Sequence, residues 1–199
     1  MGTEALRGRA VWQDYSGANA GFAEQSFFAV FTEAFRGTEL SIRAKPQEFK
    51  HIYVDVPLAD DVIAEIYNPE CGITKHGITP DYAIDNKGAG KTLYVEVKRQ
   101  DGWVEGKPRS AGRGNAHERS NKFFTPGLLK TLRKRGNLGP DALPFWTVFQ
   151  GDIARDPCRV REITLWYDGY PGHYFMWRDN SDPTALLRHF DEHLRPLLA

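Results

Sequence analysis

Phe22, Phe27, Phe28, Phe31 and Phe35 recur at near-helical spacing, so residues 21–36 are expected to form an amphipathic helix ended by Gly37. That aromatic stripe reads as core in preference to a platform for stacked bases. Further along, the apolar period changes from helical to two. Leu93, Val95 and Val97 alternate with Tyr94, Glu96 and Lys98, which predicts a strand with apolar side chains on one face and polar ones on the other. Residues 79–84 lie just before it, across a Gly-containing stretch from Asn86 to Lys91, so an antiparallel hairpin is expected, its first strand beginning near Asp81. Between helix and hairpin, residues 51–56 read as a short strand stopped by Pro57. Residues 60–67 read as a short helix with acids in its first turn, favourable to the helix dipole, closed by Asn68 and Pro69.

Beyond the hairpin the pattern breaks, and residues 100–125 read as irregular. Thr125 and Pro126 supply an N-cap and a first-turn proline for a helix running to Gly136. Residues 145–149 are continuously apolar apart from Thr147, as in a strand buried on both faces. Residues 160–167 and 174–177 are read as further strands, with Asp168-Gly169 and Pro171-Gly172 as turns. Asp182 and Pro183 open a last helix over 184–195, with Leu186, Leu187, Phe190 and Leu194 on one face. Residues 1–20 have no sustained period and read as a loose N-terminal segment. No internal repeat is visible. The order predicts one α/β domain over residues 1–199, a layered sandwich with helices flanking a mixed central β-sheet.

Composition adds bounds. A chain of 199 residues with 41% hydrophobic and 13% aromatic content can bury a core without staples. Cys71 and Cys158 are far apart and lack a Cys-x-x-Cys partner, so buried or idle thiols are expected, without a disulfide or a structural zinc. No apolar run approaches the roughly 20 residues of a membrane span, and the first residues lack a signal-peptide core. Leu6 stands where myristoylation asks for Ser or Thr. A soluble intracellular protein is expected. Formal net charge is zero, yet it is unevenly spread. Residues 98–135 hold eleven Lys and Arg against three Asp and Glu, and residues 55–96 hold eight acids against three bases. An acidic half beside a basic half suits an enzyme that holds a cation and a polyanion.

The hairpin is where chemistry is expected. It brings Asp81 beside Glu96, with Lys98 on the same face as Glu96. Two carboxylates and a lysine at one spot suit a hard divalent cation and a phosphate. The plainer reading is a surface hairpin with a salt bridge worth about 0–1 kcal/mol. Glu24 and Glu33 lie on the first helix, where each could face a metal but solvent is the simpler fate. His189 and His193 share a helix face at i, i+4, without the glutamate of His-Glu-x-x-His. Residues 112–120 join glycines to Arg113, Asn115, Glu118 and Arg119. Arginine can fork onto guanine and asparagine onto adenine, and glycine flanks let backbone approach a groove. A Gly-rich loop holding an Arg–Glu pair is the alternative.

In this context Asp81, Glu96 and Lys98 resemble the PD-(D/E)xK nuclease motif, and residues 114–119 (GNAHER) resemble the recognition segment of the MunI/EcoRI kind of type II restriction endonucleases. The likeness to the MunI side of that group covers nearly the whole chain. It is strongest at residues 98–107 (KRQDGWVEGK), 110–120 (SAGRGNAHERS), 124–130 (FTPGLLK) and 159–167. The resemblance implies a homodimer that cuts palindromic double-stranded DNA with an AATT core, leaving four-base 5′ overhangs. It implies Mg²⁺ held by Asp81, Glu96 and the Val97 carbonyl, with Glu24 as an outer candidate, and Lys98 acting on the attacking water or on charge at phosphorus. Asn115, Glu118 and Arg119 match the inner readout; Gly114, Ala116 and His117 lie in the same segment, touching bases or shaping its turn. Arg113 matches the arginine of the outer C·G pairs, so CAATTG is the preferred site and GAATTC the alternative. A bacterial cytoplasmic location and a companion DNA methyltransferase follow from the same likeness. A structure-selective repair nuclease and a non-catalytic DNA-binding module are the competing classes.

Overall fold

The computed structural model describes residues 26–108 and 117–199. The phenylalanine stripe behaves as its spacing predicts. Residues 26–34 form a helix (α1), and Phe27, Phe31 and Phe35 are all buried. Their rings follow one another at 4.6 and 5.3 Å, and Phe31 meets Trp146 and Phe190 edge-on. Each such side chain contributes about 1.5–3 kcal/mol by leaving water. The 1–20 segment, Glu24 and residues 113–116 lie outside the described residues.

Five strands form one sheet in chain order: β1 (Leu40–Ala44), β2 (Tyr82–Asn86), β3 (Lys91–Arg99), β4 (Phe145–Gln150) and β5 (Tyr174–Trp177). The first three pair antiparallel, whereas β3–β4 and β4–β5 are parallel, so the sheet is mixed as expected. The β2–β3 hairpin closes over residues 87–90. Asn86 accepts the Ala89 amide and also donates to the Leu198 carbonyl, tying the hairpin to the end of the chain.

Both sheet faces are covered. Leu93, Val95, Val97, Trp146 and Val148 pack with α1 and with Leu186, Phe190, Leu194 and Leu198 of the last two helices, α5 (Thr184–His193) and α6 (Arg195–Leu198). On the opposite face Ala83, Tyr94, Phe145 and Phe149 pack with Leu128 and Leu132 of α3 (Pro126–Gly136) and with Ile163 of α4 (Pro157–Trp166). The result is an α/β/α sandwich with two cores separated by the sheet.

Two expectations fail. Residues 51–56 are not a strand. Turn bonds from Ile52 to Phe49 and from Val54 to His51 curl them over the second core, where Ile52 and Tyr53 are partly buried. The first strand is instead β1. Residues 160–167 are helical, belonging to α4 and its C-cap. Asp156, 1% exposed, accepts from the Cys158 and Arg159 amides at 2.8 and 3.1 Å and so starts a helix through Pro157. Ile163 and Tyr167 then point inward while Leu165 lies 73% exposed. A strand would put Leu165 on the same face as those two.

The remaining elements are smaller. A six-residue helix, α2 (Asp60–Glu65), carries its acids in the first turn and buries no residue. Cys71 and Cys158 are both free and exposed, so they are idle thiols and not buried ones. Among the described residues no helix is long and apolar enough to cross a membrane.

Asp156 also accepts the Glu105 amide at 3.2 Å, joining α4 to the loop after β3. Its replacement by alanine uncaps α4 and orphans three amides. Asp156→Ala is expected to lower unfolding stability by about 1–2 kcal/mol, read from the urea midpoint. An unchanged midpoint would remove Asp156 as the origin of this helix.

Candidate active site

Strand register sets the site. Tyr82 pairs with Val95 across the hairpin, so the next pair outward is Asp81 with Glu96. The side chain of Asp81 is locked by backbone, since its Oδ2 accepts the Val97 amide at 2.9 Å. Lys98 lies on the same face as Glu96, and its Nζ reaches both carboxylates: Glu96 Oε2 in a direct ion pair and Asp81 Oδ2 at 3.5 Å. The structure thus brings Asp81, Glu96 and Lys98 together. Asp81 and Glu96 are only 7% and 4% exposed.

A second lysine, not anticipated from the sequence, completes the group. Lys45 follows β1 and donates from Nζ to Asp81 Oδ1 at 2.7 Å, while its amide donates to the Asp81 carbonyl at 2.8 Å. Its φ is +46°, unusual for a residue other than glycine. Nothing in the local sequence signals this contact except the lysine itself, 36 residues from its partner.

Electrostatics separates the carboxyls. Burial favours the neutral acid at Asp81, but Lys98, Lys45 and the Val97 amide outweigh it and hold the group below its ordinary value. Glu96 is pushed up to about 7, chiefly by burial, against the pull of Lys98 and with the Asp81 charge adding to the rise. For Lys98, burial works against the ammonium, yet the two carboxylates overcome it and keep it charged. Two acids converging on one cationic nitrogen is a donor arrangement that suits a hard divalent ion. Among the described residues no three His, Cys, Asp or Glu side chains gather for a metal. Two carboxylates with backbone oxygen nearby leave positions for several waters, which fits Mg²⁺.

Behind Glu96 lies a buried polar pair. Thr147 is the β4 neighbour of Glu96, and the Tyr167 hydroxyl donates to Thr147 Oγ1 at 2.7 Å. The preceding residue, Trp166, stacks on the His117 ring at 5.4 Å with the planes 10° apart. His117 is fully buried. Burial first, then Arg159, lower its pKa, and Glu162 Oε2 lies 3.3 Å from its Nε2. Glu118 and Arg119 are exposed at the start of a 3₁₀ turn, Glu118–Phe124.

Other candidates fall elsewhere. Glu33 pairs with Arg36 at the exposed surface. His189 directs Nε2 to the Gly172 carbonyl at 2.8 Å, so the His189–His193 pair supports the fold.

In chelator, the folded protein binds the Glu96 proton more tightly than the unfolded chain does. Stability attached to this group is therefore lost as pH rises from its ordinary 4.5 towards about 7. Glu96→Gln, neutral at every pH, is expected to melt above wild type at pH 8 without metal, with the gap closing as pH falls through that window. A variant melting below wild type at pH 8 would contradict it.

Known proteins share this frame. A family model described as type II restriction enzyme MunI matches residues 1–199. The type II restriction enzyme MunI of a Mycoplasma species is 53% identical over 201 residues, spanning all of both chains. A crystal structure of MunI restriction endonuclease in complex with cognate DNA superposes with a TM-score of 0.80 at 52% identity, covering 94% of this chain and 97% of that one. A mixed sheet with hairpin-borne acids, matched at that level along its length, leaves one conclusion: the chain belongs to the MunI family of type II restriction enzymes, which are site-specific nucleases.

Proposed function

We propose that this chain acts as a homodimer on palindromic double-stranded DNA, cutting CAATTG after the first C on each strand to leave 5′-AATT overhangs, with Mg²⁺ as cofactor. The observation that carries the reading is the convergence of Asp81, Glu96 and Lys98 at the open end of the hairpin. Its support is the likeness to an endonuclease solved on cognate DNA. Residues 1–199 act as one endonuclease domain, in the cytoplasm of a bacterium whose companion methyltransferase protects the host's own sites without touching this protein.

Asp81, Glu96 and the Val97 carbonyl would hold Mg²⁺, which supplies Lewis-acid polarisation of the phosphate and an acidified water. The Val97 amide fixes the Asp81 carboxylate in place, so little reorganisation is left for the reaction. Lys98 stays charged between the acids and acts on the entering water or on charge gathering at phosphorus. Glu24 is a further outer candidate.

Specificity belongs to residues 113–119. Asn115, Glu118 and Arg119 read the AATT core, Arg113 reads the outer C·G pair, Gly114 allows close backbone approach, and Ala116 contacts bases or shapes the turn. His117, packed under Trp166, holds the end of this segment against α4.

The direct test is to digest a sequenced plasmid with Mg²⁺ and map the cut ends. Ends at CAATTG with AATT overhangs support the reading, and ends at GAATTC would reassign Arg113. Cutting without a fixed sequence would favour a structure-selective nuclease, and no cutting a binding module.

Two variants sharpen it. Arg113→Ala should lose about 1–3 kcal/mol of discrimination at the outer pair, seen as converging kcat/KM on CAATTG and GAATTC duplexes. Asp81→Ala removes a charge that repels the phosphate when metal is absent. It should bind CAATTG more tightly than wild type in chelator, and equal or weaker binding by titration would defeat that electrostatic account.

A further inference from the structure

Arg155, Arg161 and Arg178 line an open cleft of about 550 Å³ over a floor of Ala154, Pro157 and Val160, and among the described residues no acid lines it. The three come from different elements. Arg155 ends the 3₁₀ turn Asp152–Arg155, Arg161 lies on α4 and Arg178 follows β5, and all three are exposed. Backbone orients two of them: Arg178 Nε donates to the Ala154 carbonyl at 2.9 Å, and Arg161 donates to the Pro157 carbonyl at 2.5 Å. A guanidinium carries five N–H groups, so a single carbonyl aims the fork and leaves donors for a ligand. Asp152 and Asp179 feel the Arg155 charge, yet their oxygens serve other groups. Asp152 accepts from Lys107 and the Gly102 amide, and Asp179 from the Ser181 hydroxyl and amide. A concave wall of one sign of charge concentrates potential and favours a polyanion.

The cleft lies where a duplex held at the acids would pass. Lys98, Phe149 and Met176 stand level across the parallel strands β3, β4 and β5. Arg178 comes two residues after Met176, and the turn carrying Arg155 follows the end of β4, so the cleft is at the Lys98 end of the sheet. It is also on the Lys98 side, since Phe149, Ile153, Ala154 and Met176 belong to the core on that face. Two strand spacings, about 10 Å, separate β3 from β5. The loop leaving β3 towards residues 113–119 is fastened to the same elements, through Gly102 and Lys107 to Asp152 and through Glu105 to Asp156. A DNA strand carries a phosphate every 3.4 Å or so of helix axis, so one duplex can supply anions to the acids' metal and to this cleft together.

We propose that the cleft of Arg155, Arg161 and Arg178 is a docking site for a backbone phosphate of the bound duplex, a few nucleotides from the one that is cut. The arginines donate to its non-bridging oxygens, fix the duplex on the sheet edge and read no base. The inference rests on the nuclease reading and adds a contact remote from the chemistry, with no bond made or broken there.

The test uses the full chain carrying Arg155→Gln with Arg161→Gln, and a second variant with lysine at both positions. Binding of a CAATTG duplex and of an unrelated duplex is measured in Ca²⁺ from low to high salt. The glutamine pair should lower the log–log salt slope by about one per subunit and weaken both duplexes by the same factor, and the lysine pair should keep the wild-type slope. Duplexes in which one phosphate at a time is a neutral methylphosphonate then locate the contact. Wild type should lose about tenfold at one position away from the cut, and the glutamine pair nothing further there. A wild-type slope in the glutamine pair, or methylphosphonate losses equal in the two proteins at every position, overturns the proposal. So does a change of base preference, or a change of oligomeric state by light scattering, which would make the cleft a contact between copies. A melting temperature raised by inorganic phosphate in wild type alone, with the DNA slope unmoved, would make it a free-anion site and overturn the proposal as well. If wild type selects another sequence, the CAATTG reading fails by itself, and the same scan on the mapped site still decides the cleft.

Discussion

Two carboxylates almost removed from water, both in contact with one lysine nitrogen, are the constraint to which the rest of the structure answers. Isolated, they could not both ionise, because burial and mutual repulsion act in the same direction. The fold resolves this unequally. Asp81 receives a backbone amide and two ammoniums and stays charged, whereas burial outweighs the lysines near Glu96 and pushes it up to about 7. A divalent cation bound between them would favour the charged form of each and let both acids ionise.

Holding that arrangement requires a rigid platform, and the sheet supplies it. Glu96 and Lys98 stand on β3, an interior strand paired antiparallel on one side and parallel on the other. Tyr94 and Phe145 on the same face, and Val95 and Val97 on the opposite one, are buried beneath separate helical layers. A one-residue slip of β3 would turn the acid and the lysine into the α1 core, where neither could be solvated. Register is thus enforced by the same burial that shapes the acids.

Much of this was legible along the chain because it is local. The hairpin, the phenylalanine helix, β4 and the final amphipathic helix each declare themselves through period and punctuation within about ten residues. Residues 160–167 misled because Arg161, Ile163, Leu165 and Tyr167 mimic a strand face, and the capping carboxylate of Asp156 lies before the run. Residues 51–56 misled for a related reason: their alternation serves a curled lid over the second core. Lys45 was beyond reach, since its place depends on β1 pairing with β2 and on one left-handed residue. Likewise, the inward turn of His117 depends on Trp166, 49 positions later in the chain.

Trp166 and Tyr167 are adjacent in sequence, yet one lies against His117 and the other under the strand beside Glu96. A helix end is stiff, so these two neighbours move together or not at all. The practical consequence concerns re-targeting the enzyme: altering the packing around residues 117 and 166 also disturbs the floor on which Glu96 rests. Directed evolution from this scaffold should meet fewer conflicts when it begins at side chains facing away from α4.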